Sequence, residues 1–180
     1  MSNFVFMTDS CVDLPQSEVD KMKAVVIPLS TNIDGKEYFN YLDEREITFK
    51  EFYDALREQK RPVTSQANSE RFIEAMEPIL KEGKDILSLS FSQALSGTYQ
   101  ASLIAVNEMK EKYPNRTIIA IDSSCASMGQ GLLLTYAYER SKKKASIQEV
   151  AEWIEKNKLN ICHLFTVGDL NHLKRGGRLS

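Results

Sequence analysis

Short apolar runs separated by segments of helical period constrain this chain more than any other feature. The runs are Phe4-Val5-Phe6-Met7, Ala24-Val25-Val26-Ile27-Pro28-Leu29, Ile86-Leu87-Ser88-Leu89, Ile118-Ile119-Ala120-Ile121 and His163-Leu164-Phe165-Thr166-Val167. Strands this apolar belong where helices cover both faces of a parallel sheet. Pro28 offers no N–H to a ladder, so the second run reads as an edge strand or a strand end.

Between the runs, Phe49, Phe52, Tyr53 and Leu56 follow helical spacing behind a Thr48…Glu51 capping box. Ile147, Val150, Ala151 and Ile154 repeat the pattern behind Ser146…Glu149. Phe72, Met76, Ile79 and Leu80 form a third stripe, which Pro78 is expected to kink or shorten. Tyr99, Leu103, Val106 and Tyr113 mark a fourth, ended by Pro114-Asn115, and a further helix is expected from about Met128 to Ser141. These stripes read as core. Strands alternating with helices predict an α/β fold: a doubly wound, mostly parallel sheet with helices on both faces. Thr31-Asn32-Ile33-Asp34-Gly35-Lys36 reads as a small hairpin before the first of these helices. Arg175-Gly176-Gly177-Arg178 is built like a loop that orders around something, with no terminating element after it.

At 180 residues, with 42% hydrophobic and 27% charged residues, the composition is that of a globular domain with a full core. A formal net charge of -2 gives no basic surplus for nucleic acid or anionic lipid. The Lys142-Lys143-Lys144 run reads as a solvated turn. Cys11, Cys125 and Cys162 form no C-x-x-C pair, and their odd count suggests a reducing compartment. Neither His163 nor His172 has a second histidine at helical ligand spacing, so no metal is expected. The start lacks the basic and apolar regions of a signal peptide, and no stretch reaches the ~20 apolar residues of a membrane span. A cytoplasmic protein without stable membrane insertion is expected.

Ligands of open parallel sheets bind outside the carboxyl ends of the strands. Hydroxyl and carboxylate residues gather there: Thr8-Asp9-Ser10, Ser90 with Ser92, and Asp122-Ser123-Ser124. Thr64-Ser65-Gln66 precedes the Phe72 helix, and Ser96-Gly97-Thr98 opens the Tyr99 helix. A helix start presents unpaired N–H groups and partial positive charge, suited to a carboxylate or phosphate. Gly97 lets the backbone approach an anion, and the flanking hydroxyls donate. Each hydroxyl taken singly also reads as an ordinary helix cap. The P-loop, the G-x-S-x-G elbow and G-x-G-x-x-G are absent, and Ala94-Leu95 precede Ser96. Asp9, Asp122 and Ser96 leave a Ser- or Asp-dependent hydrolase or phosphotransferase as the alternative, while binding is favoured over catalysis.

Five segments occur in order along the chain: Thr8-Asp9-Ser10-Cys11-Val12-Asp13-Leu14-Pro15, Pro62-Val63-Thr64-Ser65-Gln66, Leu95-Ser96-Gly97-Thr98-Tyr99-Gln100, Ile121-Asp122-Ser123 and Gly176-Gly177-Arg178-Leu179-Ser180. Together they resemble the DegV family of bacterial fatty-acid-binding proteins. The resemblance implies a non-enzymatic carrier that needs no cofactor and binds a long-chain, palmitate-like fatty acid. It also implies a fatty acid kinase catalytic subunit as partner, to which the carboxylate is presented. By the same resemblance Thr64 and Ser96 hold the carboxylate, Ser65 and Gly97 flank it, and Arg175 assists. Asp9, Ser10, Ser92, Asp122 and Ser123 support the rim. Residues 1–165 then form an amino-terminal α/β domain, and 166–180 begin a second domain that encloses the lipid tail. Ala67, Cys11 and Gln93-Ala94 depart from the residues usual in the family, which alters details of the pocket.

Overall fold

A computed structural model of the 180-residue chain describes residues 4–166 and Lys174. Four strands form a parallel sheet: β1 (Phe4–Asp9), β2 (Val25–Ile27), β6 (Asp85–Ser90) and β7 (Ile118–Asp122), in the order β2-β1-β6-β7. Chain direction across the sheet reverses between β1 and β6, which places a topological switch point at their carboxyl ends. As expected, β2 is an edge strand and stops one residue before Pro28.

Side chains alternate across the sheet. Phe4, Phe6, Leu87 and Leu89 join one core with residues of α1 (Gln16–Met22), α5 (Met128–Ser141) and α6 (Ile147–Asn157). Met7, Ile86 and Ile118 join the other with α3 (Ser69–Lys81) and α4 (Thr98–Lys112). The result is helix–sheet–helix layering, as the apolar runs require. Within α6, Ile147, Val150 and Ile154 are buried in one stripe, each contributing about 1.5–3 kcal/mol. Its capping box, Ser146 with Glu149, is formed in full, as is that of α2 (Phe49–Arg57), Thr48 with Glu51.

A second, three-stranded antiparallel sheet follows β2. β3 (Ser30–Ile33) and β4 (Lys36–Phe39) make the expected hairpin, turning at Asp34 and Gly35 with φ of 53° and 86°. Two successive positive φ values match the twist of a two-residue hairpin turn. The outer strand β5 (Val63–Ser65) pairs with β3 and carries Thr64, so that residue lies within a short edge strand ahead of α3.

Several expectations need correction. The His163 run is no strand: residues 161–166 are irregular, and Leu164 and Phe165 are 94% and 83% exposed. His163 Nε2 accepts a hydrogen bond from Ala126 N (3.3 Å) and the ring packs on Gly129, so this segment lies against the start of α5. Val167 lies outside the described residues. Pro78, expected to kink or shorten α3, lies inside it, and the helix continues three residues to Lys81. The buried face of α4 consists of Thr98, Ala101, Ser102, Ala105, Val106 and Met109, while Leu103 is only half-buried. Small residues let α4 lie close to the sheet, where Ser102 Oγ meets Ser88 Oγ at 2.9 Å. On α2 the apolar stripe is largely uncovered, with Phe49 and Tyr53 exposed and Ala55 the buried residue.

Gly131 fixes α5 against the turn after β1. A Cβ there would lie 2.8 Å from the Val12 carbonyl oxygen and 2.9 Å from Leu14. Backbone at one contact leaves little to give. Gly131→Ala is therefore expected to lower the urea midpoint by about 1–3 kcal/mol of stability, outweighing a gain of about 1 kcal/mol in helix propensity. An unchanged or raised midpoint would contradict this close packing.

Candidate functional site

The carboxyl ends of β1, β6 and β7 form one rim. Ser123 N donates to Ser90 O (3.0 Å) and Ser92 N to Cys125 O (3.1 Å), which ties the loops after β6 and β7 together. Asp9, Ser10, Ser92, Asp122 and Ser123 are all buried at this rim. Their polar atoms are mostly engaged in holding loops. Asp122 Oδ1 accepts from Gln93 N (3.1 Å) and Ser124 N (3.0 Å). Ser123 Oγ accepts from Cys125 N (3.1 Å), and Ser10 Oγ accepts from Leu29 N (3.0 Å) and Asn40 Nδ2 (3.3 Å). Ser92 Oγ accepts from Ala94 N (3.4 Å).

Asp9 is the electrostatic centre of the rim. It is fully buried, and burial pushes its pKa from 3.8 to about 6 against the lowering effect of its hydrogen bonds. Oδ2 accepts from Phe91 N (2.7 Å), and Oδ1 from Cys11 N (3.1 Å) and Gln130 Nε2 (3.4 Å). The same Gln130 amide donates to Thr8 Oγ1 (3.0 Å), and Thr8 Oγ1 donates to Leu89 O (2.8 Å). This network clamps α5 to the ends of β1 and β6. Burial also raises the Cys11 thiol above its usual range, with Asp9 adding to the effect, so it stays protonated.

The hydroxyl segments converge a short way off. Gly97 precedes α4 without a side-chain cap, and Thr98 N and Thr98 Oγ1 both contact Ser96 Oγ, at 3.3 and 2.9 Å. The Gln66 side chain rests on Gly97: a Cβ at Gly97 would fall 2.0 Å from Gln66 Oε1. Any other residue at this position would displace the glutamine. The contact joins the Thr64-Ser65-Gln66 segment of the small sheet to the Ser96-Gly97-Thr98 start of α4. Thr64 and Ser65 are exposed, and Ser96 and Gly97 half-buried. Arg175 lies outside the described residues.

Gln66 and Gln130 escape sequence reasoning. Gln66 follows the hydroxyl pair, but nothing local indicates that its amide reaches a glycine on another element. Gln130 sits 122 residues from Thr8, its nearest hydroxyl partner, in the first turn of an otherwise unremarked helix.

Two hollows of about 270 and 210 Å³ lie beside the small sheet and the β2 edge. The first is bordered by Ile33, Lys36, Tyr38, Glu51, Ala55 and Lys60, and the second by residues that include Val19, Val26, Asn40 and Arg45. Charged and polar groups on both make them poor seats for an alkyl tail. Among the described residues no group of three or more His, Cys, Asp or Glu is arranged to hold a metal, and no helix is long and apolar enough to cross a membrane.

Comparison with known proteins decides the family: the DegV family model matches residues 3–180. The chain belongs to the DegV family. A DegV domain-containing protein of Clostridium perfringens is 51% identical over all 180 residues, which cover 62% of that relative. One from Caldanaerobacter subterraneus is 36% identical over the same span. Among solved structures, a Thermus thermophilus DegV-family protein described as binding fatty acid has a TM-score of 0.85 at 34% identity; the match covers 97% of this chain and 60% of that one. A stearic-acid-binding protein from Eubacterium ventriosum has a TM-score of 0.85 at 25% identity, with the same coverage. The chain thus spans about 62% of the length of these two DegV relatives.

Proposed function

We propose that this DegV chain binds the carboxylate of a long-chain fatty acid with the hydroxyls of Thr64 and Ser96, flanked by Ser65 and Gly97. The observation that carries this reading is the seating of Gln66 on Gly97, which brings the two hydroxyl segments together. A helix start with its N–H groups, two hydroxyl residues and no Cβ at the closest approach suits an anionic head group. The fatty-acid-binding solved relatives support the choice of ligand. Asp9, Ser10, Ser92, Asp122 and Ser123 shape the rim through loop hydrogen bonds rather than by touching ligand. Arg175 and a second domain starting near residue 166 complete the site and enclose the tail.

A carrier rather than a hydrolase accounts best for these groups. Asp9 and Asp122 already accept backbone N–H bonds, and the Ser96 hydroxyl meets Thr98, not a base. The exposed Thr64 and Ser65 leave the head group reachable by a fatty acid kinase catalytic subunit in the cytoplasm, which phosphorylates the presented carboxylate.

Ser96→Ala and Thr64→Ala, each in the full chain, are expected to weaken palmitate binding by about 1.5–3 kcal/mol, or roughly ten- to a hundredfold. Titration calorimetry reads the affinity and urea unfolding reads the fold, whose midpoint should barely move. Unchanged affinity with a lowered midpoint would make both residues structural and the site assignment wrong.

A further inference from the structure

We infer that Thr31 is a further hydroxyl of the head-group site, donating to the same carboxylate as Thr64; this rests on the fatty-acid reading above. Thr31 lies in the central strand β3, directly opposite Thr64 of β5 in the antiparallel register. Directly opposed residues project from one face of the sheet, with Cβ atoms about 4.5–5.5 Å apart. Two threonine side chains therefore stand side by side, in unequal surroundings.

Thr64 is exposed, whereas Thr31 is only 7% exposed and its Oγ1 is buried without a hydrogen-bond partner. Neither Thr64 nor Tyr38, which faces Thr31 from β4, bonds to it. A buried hydroxyl left unpaired is destabilising, and a valine of the same shape would avoid that cost. Ligand binding gives the hydroxyl a use. A carboxylate offers two oxygens with several acceptor positions, so adjacent donors can serve it together. It meets the exposed Thr64 first, and rotation of Thr31 about χ1 between staggered positions turns its hydroxyl toward the same anion. Gln66, two residues after Thr64, reaches Gly97 and so links this pair to Ser96.

The test compares Thr31→Val and Thr31→Ser in the full chain, with palmitate and hexadecanol as probes. Thr31→Val is expected to lose about tenfold in palmitate affinity, with a smaller loss for hexadecanol, which carries no charge. Its ligand-free urea midpoint should hold or rise, and Thr31→Ser should keep palmitate binding. Unchanged palmitate affinity in Thr31→Val overturns the inference, as does an equal loss for both probes, which would indicate repacking. If Thr31→Val fails to fold, Thr31→Ala against Thr31→Ser reads the same hydroxyl, and equal palmitate affinity in that pair overturns the inference. Weakened binding in Thr64→Ala and Ser96→Ala but not in Thr31→Val sinks Thr31 alone. No loss in any of the three sinks the head-group reading with it.

Discussion

Residues 1–180 joined to the rest of the Clostridium perfringens relative are expected to bind palmitate at least about a hundredfold more tightly than residues 1–180 alone. Each buried methylene contributes ~0.8 kcal/mol, so a palmitate tail supplies of order 10 kcal/mol before the costs of ordering. A hydrogen bond to the head group contributes about 1.5–3 kcal/mol. The tail dominates affinity, and this chain spans 62% of that relative. The hollows bordered by Lys36 and by Arg45 are too polar for the tail, while Phe49, Tyr53, Met128, Leu132, Leu164 and Phe165 are exposed. Apolar surface of this kind is covered in a working complex or drives self-association. Calorimetry on both chains, with light scattering for association, checks the prediction. Equal affinities would mean that the tail is held within residues 1–180.

The second large effect concerns pH and Asp9. Its carboxyl binds a proton more tightly in the folded chain, with a pKa of about 6 against an ordinary 3.8. A raised folded-state pKa favours folding while the group is protonated in both states. That contribution is full below about pH 4 and is lost as pH rises through about 6, a change of about 3 kcal/mol. Glu77, held down to about 2 first by Lys112 and then Lys81, works in the opposite direction at lower pH. The Asp9 contribution is therefore read as a difference between wild type and Asp9→Asn. The urea-unfolding free energy of wild type minus that of the variant should fall by about 3 kcal/mol as pH rises from below 4 to 7.5. A gap that does not change with pH would mean that Asp9 titrates normally. Because Phe91 N donates to Asp9 and opens the loop leading to Ser96, the same titration loads the segment that carries the candidate site.

Much of this molecule follows from short stretches of sequence. The capping boxes at Thr48 and Ser146 form as read, because their partners are three residues apart. The Asp34-Gly35 turn forms because those residue types accept positive φ. Four of the five apolar runs became parallel strands, since burial on both faces leaves a recognisable mark on each segment alone. The DegV motifs also carried the family, and with it the expectation of Thr64 and Ser96.

Tertiary structure decided the rest. The His163 run has strand composition, but a strand needs a neighbour, and His163 is held at Ala126 and Gly129 instead. The α2 stripe has helical period, yet period says only which residues share a face, not whether anything covers it. Nothing within Val63-Thr64-Ser65 announces that β3 will pair with it, that Gln66 will rest on Gly97, or that Thr31 will stand beside Thr64 with its hydroxyl unpaired. Local propensity and periodicity act over a few residues and are written in each segment. Pairing, burial and the meeting of hydroxyls depend on surfaces far apart in the chain, and only the folded arrangement sets them against one another.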